Sequence, residues 1–186
     1  CDVFMHTWST LDHATETWHN HKMSAASAPT NNLAHKLKKN YMLKELEIEH
    51  QLIENLGTIN AVGKDISIFG IKTMFHSMKR ADCLRRRYEQ QTGANYDFVV
   101  VIRPDVLLKK DFILEEYIER LSEAEVNQTV FTTGFPMVGV LSNLDYWGAT
   151  DVLFFAKPNV LRKLFDSDNV FLGNFSDKMV TRYWAV

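Results

Sequence analysis

The chain has 186 residues and a mass of 21.5 kDa, enough for one ordinary domain with a substantial core. Hydrophobic residues make up 46% and charged residues 24%, which excludes a disordered chain, and a formal charge of −2 gives no basis for a nucleic-acid partner. No apolar run approaches the roughly 20 residues of a membrane span, no secretory leader is visible, and two cysteines, Cys1 and Cys83, make no disulfide framework, so a reducing, cytoplasmic setting is expected.

Residues 1–8 (CDVFMHTW) read as a short strand with Val3, Phe4 and Met5 inward and His6, Thr7 and Trp8 at its end. From Ser9 to about Asn32 the chain is polar and contains Pro29, the composition of a loop. His13, His19 and His21 lie there; residues two apart diverge on a helix and no cysteine accompanies them, so they read as solvated histidines. Asn32 to about Asn40 reads as a short helix with Leu33 and Leu37 inward. For 44–49 two readings stand. Leu43, Leu46 and Ile48 nearly alternate with charges, as in a strand, while the same Leu, Lys and Glu residues favour one helix from 33 to 55.

Ile68, Ile71, Phe75, Met78, Leu84 and Tyr88 recur at helical spacing, with Asp65 or Ser67 as start signals and Gly93 where a left-handed terminal residue belongs. Gly70 allows a start further in. This helix leads into Tyr96–Leu108, the stretch around which the rest is organised. Phe98 to Ile102 is an unbroken β-branched and aromatic run, the pattern of a strand covered on both faces in the middle of a mostly parallel sheet. Arg103, Pro104 and Asp105 end it, which puts a carboxylate at the carboxyl edge of the sheet, where open α/β sheets bind ligands. The plainer reading is that Asp105 opens a turn and Arg103 solvates the strand end.

Further on, Asp111 is expected to cap a helix from Phe112 to Leu121, and Thr129–Thr132 reads as a strand. Gly134 to Gly148 reads as irregular. Asp151 introduces a second buried strand, Val152–Ala156, and Lys157-Pro158 opens a helix through Leu161 and Leu164 that ends near Phe165 and Asp166. A last helix is expected over Ser176–Trp184. The fold class is α/β.

Asp2-Val3-Phe4-Met5-His6-Thr7-Trp8, Leu46-Glu47-Ile48-Glu49, Ser77-Met78-Lys79-Arg80-Ala81, Tyr88-Glu89, Tyr96-Asp97 through Arg103-Pro104-Asp105, and Asp151 before Val152 form an ordered set. Together they resemble the phrases of small nucleotide-sugar-dependent glycosyltransferases with the GT-A fold. The likeness covers most of residues 1–165 and favours the strand at 44–49. It implies one Rossmann-like domain over 1–186, a central, mostly parallel sheet flanked by helices. It also implies a hexosyltransferase that moves a sugar from a nucleotide-sugar donor to a glycan or related acceptor. The strand that opens such domains would precede Cys1, so the resemblance implies a fragment trimmed at one or both ends.

The site residues follow from the same resemblance. Asp105 matches the last acidic position of a D-x-D-like motif that holds Mn2+ or Mg2+ against the donor diphosphate, where the ion neutralises charge developing on the leaving group. Arg103 stands where the better-known motif has Asp; it contacts a donor hydroxyl or phosphate, or pairs with Asp97 or Asp105. Lys79 approaches the nucleotide, whereas Arg80, within a general run of charges, reads as solvated. His6 and Trp8 line the same cleft, with Trp8 able to stack on a sugar. Asp151 acts as general base toward the acceptor hydroxyl, or orients it. A reading of another class is a non-catalytic carbohydrate- or nucleotide-binding relative of the same fold, favoured by Arg103 and opposed by the carboxylates at 105 and 151. A nucleotidyltransferase would need a glycine- and lysine-rich phosphate loop near the amino end, and the sequence has none.

Overall fold

The computed structural model describes residues 1–9, 32–50, 56–61, 64–104, 106, 108, 111–119, 121–136 and 147–166; of 59–61, 64–67, 71, 132–136 and 147–152 the backbone alone is described. Of the loop expected from Ser9 to about Asn32, residues 10–31 with His13, His19 and His21 lie outside these, as do 137–146 and the helix expected over 176–184; the stretch expected to be irregular, Gly134 to Gly148, is corrected at both ends, where 134–136 and 147–148 are strand. Two compact units divide the chain, Cys1–Asn95 and Tyr96–Val186.

In the first unit, β1 (Val3–Trp8) and β2 (Leu43–Glu49) pair in parallel, His6 opposite Glu47 and Trp8 opposite Glu49. The strand reading of 44–49 therefore holds. Between them in sequence lies α1 (Leu33–Tyr41), which ends with Met42 in the left-handed region at φ 49°. Leu33 and Leu37 are half-buried on it. A hairpin not foreseen from sequence, β3 (Thr58–Ala61) against β4 (Lys64–Ser67), runs directly into α2 (Ile68–Thr92). The helix starts at Ile68, and Gly70 does not displace that start. Gly93 closes it at φ 74°, its N–H donating to the Glu89 carbonyl at 2.9 Å.

Side chains alternate along a strand, so Phe4, His6 and Trp8 share one face with Glu47 and Glu49 of the paired strand. That face meets α2: Phe4 packs edge-on to Tyr88 at 5.6 Å, and His6 and Trp8 reach His76. The helix thus covers a largely polar face. Burial in β1 corrects the expectation accordingly. Val3, Phe4 and Met5 are only half-buried, and His6 is the strand's buried residue. On α2, Asp82 is buried with Arg85, which donates to its Oδ1 through Nε at 2.9 Å and Nη2 at 2.7 Å.

The second unit is built on a three-stranded antiparallel sheet in the order β5 (Val99–Ile102), β7 (Trp147–Ala156), β6 (Phe131–Pro136). Leu153, Phe154, Phe155 and Ala156 are consecutive and all buried, because β7 has ladder neighbours on both sides. Phe155 gathers Phe98, Phe112, Tyr117 and Phe131 at ring distances of 4.5–6.2 Å. Phe154, on the opposite face, meets Phe165 of α5 (Pro158–Phe165), whose Leu161 and Phe165 are fully buried. Pro158 opens α5 as expected.

Two expectations for this half are corrected. The run at 98–102 is an edge strand among the described residues, with Val100 and Ile102 exposed at 41% and 40%, because only β7 pairs with it. The described pairings are one parallel and three antiparallel, in place of one mostly parallel sheet. The α/β class itself stands, with no sheet closed into a barrel among the described residues. The helix expected over 112–121 is a single turn, α3 (Glu115–Ile118), preceded by Leu114 rather than capped by Asp111. It is followed by α4 (Glu123–Val126), begun by a reciprocal cap: Ser122 Oγ accepts from Glu125 N–H while the Glu125 carboxylate accepts from Ser122 N–H. Among the described residues no helix is long and apolar enough to cross a membrane.

Candidate functional site

The carboxyl ends of β1 and β2 and the third turn of α2 bring His6, Glu49 and His76 together. Period-two alternation aims His6 and Glu49 at the helix, and antiparallel passage of α2 over the strands sets His76 above their ends. The Glu49 carboxylate is shared. Its Oε2 lies 2.8 Å from His76 Nε2 and 3.5 Å from His6 Nε2, while Oε1 stands 3.0 Å from Arg80 Nε. Arg80 also forks onto Glu47, its Nε donating to Oε2 at 3.0 Å and Nη2 to Oε1. Trp8 completes the group, edge-on to His6 at 4.8 Å and stacked on His76 at 5.4 Å.

The three side chains differ in environment. The His6 side chain has no exposed surface, and neither ring nitrogen has a hydrogen-bond partner among the described residues. His76 is 44% exposed, so the cluster opens to solvent on its side. Burial lowers the pKa of His6 from its ordinary 6.5, against the opposing pull of Glu49. For Glu49, burial acts upward but is outweighed by the His76 hydrogen bond and nearby positive charge, which hold the carboxyl below its ordinary range. Arg80 is raised, first by its hydrogen bond to Glu47.

The ligand atoms of His6, Glu49 and His76 all lie within 4.8 Å of one another, the one such group of three among the described residues. Two imidazoles and one carboxylate suit a borderline transition ion, whereas Mg2+ prefers oxygen alone. This is therefore not the oxygen site that the resemblance implies.

Of the residues expected from sequence, His6 and Trp8 meet edge-on in the first unit. Lys79 is half-buried on α2, next to Arg80. Arg80, expected to be solvated, instead holds two glutamates. Arg103 is exposed just past the end of β5, and Asp105 lies outside the described residues. Asp151 falls within β7 rather than ahead of a strand, at the register shift between β6 and β7. Ile102 pairs with Leu153, so Arg103 comes one residue after, and Asp151 two residues before, the last paired position of its strand. Glu49 and His76 were not singled out as site residues from sequence.

The chain matches no protein-family model, no curated protein and no solved structure.

Proposed function

We propose that the chain is a glycosyltransferase moving a hexose from a nucleotide sugar to a glycan or related acceptor, assisted by Mn2+ or Mg2+ at Asp105. The observation that carries this reading is the parallel pair β1–β2 covered by α2, with His6 and Trp8 at its carboxyl end. Ligands of open α/β sheets gather at that end, and Trp8 brings there an aromatic surface suited to a sugar or base. Lys79, on the same helix, offers a cation to a diphosphate. In the second unit, Arg103, just past β5, would serve donor oxygens, and Asp151, on β7, would act as base to the acceptor hydroxyl. The metal would offset charge on the departing nucleoside diphosphate. A cytoplasmic setting goes with this chemistry and with free Cys1 and Cys83.

The test is a panel of nucleotide sugars with and without Mn2+, scored by thermal stabilisation and by release of nucleoside diphosphate. At least one donor should stabilise the chain in a metal-dependent way, and Asp105→Ala should abolish that response while leaving the melting curve without ligand unchanged. Indifference to every donor, or an Asp105→Ala variant that responds like the parent, removes the proposal.

A further inference from the structure

We propose that His6, Glu49 and His76 bind one divalent transition-metal ion of the zinc class, through a nitrogen of each imidazole and the Oε2 of the carboxylate. The proposal stands whether or not the chain transfers sugar. Its first support is geometric. Three donors from three separate elements, β1, β2 and α2, lie within 4.8 Å of one another. Donors around a tetrahedral zinc sit about 3.3 Å apart, given metal–ligand lengths near 2.0–2.1 Å. Two pairs are at 2.8 and 3.5 Å and bracket that spacing. The remaining pair, the two imidazole nitrogens, lies within 4.8 Å.

The second support is His6. Its side chain is wholly buried, its two ring nitrogens have no hydrogen-bond partner among the described residues, and Nε2 faces Glu49 Oε2 at 3.5 Å. Buried polar groups are seldom left unsatisfied, and an ion between the two side chains would satisfy Nε2. The third support is the outer layer. Arg80 fixes Glu49 through Oε1 and leaves Oε2 to the histidines, and Arg80 is itself fixed by Glu47. Trp8 stacks on His76 and holds its ring plane. Such groups behind the ligands orient donors before an ion arrives. Three protein donors leave a fourth position on the exposed His76 side, the pattern of a site open to water or a small ligand rather than a closed structural one.

The experiment uses the full chain, stripped with a chelator and then titrated with ZnCl2 against a chromophoric competitor. One tightly bound equivalent is expected, with a melting temperature raised by several degrees. His76→Ala, at a half-exposed position, should weaken binding at least about 100-fold, beyond the 10- to 100-fold typical of losing a mere supporting group. Glu49→Gln should do the same and serves if His76→Ala does not fold. The triple variant His13→Ala, His19→Ala, His21→Ala should retain the tight equivalent, and Mg2+ at the same concentrations should not displace it. Zinc binding that survives both His76→Ala and Glu49→Gln, that vanishes only in the triple variant, or that is absent from the parent chain overturns the assignment.

Discussion

Replacing Arg80 with Met isolates what holds the two glutamates of β2 in place. The substitution keeps the aliphatic length and removes the guanidinium that forks onto Glu47 and stands 3.0 Å from Glu49 Oε1. Arg80 is 38% exposed and the glutamates 24% and 29%, so solvent screens these pairs and each is valued as a surface pair, at about 0.2–1 kcal/mol. Its raised pKa keeps the charge, and hence the contribution, intact throughout the neutral range and losable only at strongly alkaline pH. Without it, Glu47 and Glu49 lie on one strand face two residues apart and repel each other. The sum is a loss of about 0.5–2 kcal/mol, or roughly 1–8 °C in Tm for a chain of this size. Urea unfolding at 0.05 and 1 M NaCl reads it directly, because high salt should remove most of the difference. Double-mutant cycles with Glu47→Gln and Glu49→Gln should each return a coupling of about 0.5–1 kcal/mol. A loss below about 0.3 kcal/mol, unmoved by salt, would refute the role given to Arg80.

Two further outcomes follow from the same contacts. Phe155→Ala removes a buried ring at the centre of four aromatic partners and should cost about 3–5 kcal/mol in urea unfolding; a loss under about 1.5 kcal/mol would mean that the aromatic cluster is not the core. Acidification should destabilise the metal-free chain in two stages. His6 has its folded pKa below 6.5, so the unfolded chain takes up the proton first and stability present above that value declines as pH falls below it. Glu49 follows the same sign at lower pH, its contribution present above 4.5 and lost as pH drops through its depressed folded value. Denaturation midpoints for the parent and His6→Asn between pH 7.5 and 5 check the first stage, and parallel curves would show that His6 does not titrate on folding.

What was legible in the sequence is what local pattern controls. The 3.6-residue spacing of Ile68 to Tyr88 and the placing of Gly93 defined α2, and Pro158 defined α5, because those signals act within a few residues. Neighbour number is another matter. Phe98–Ile102 and Val152–Ala156 are runs of the same character, yet β7 gained two ladder partners and β5 one, a choice made by topology rather than by either run. The S-x-x-E phrase at Ser122–Glu125 has the form of a cap, yet it lies just past the helix expected to end at Leu121 and was not read as starting a helix of its own. Glu49 and His76 are 27 residues apart and meet only through packing of α2 on β2, so each looked like one polar residue among many. Arg80 was given to solvent for the same reason. The sole hints were the period-two pair Glu47 and Glu49, and His76 one turn before Arg80, which become informative only after the strand and helix are set side by side.

The polar seam between α2 and the first two strands has a calorimetric consequence. Among the described residues, one buried apolar side chain, Leu84, belongs to Cys1–Asn95, and seven, from Val126 to Phe165, belong to Tyr96–Val186; the buried His6, Asp82 and Arg85 all belong to the former. Exposing hydrocarbon raises heat capacity and exposing polar groups lowers it. The heat-capacity increment of unfolding should therefore come mostly from the aromatic half, leaving the half that carries the histidines with a shallow dependence on temperature and a steep one on ionic strength.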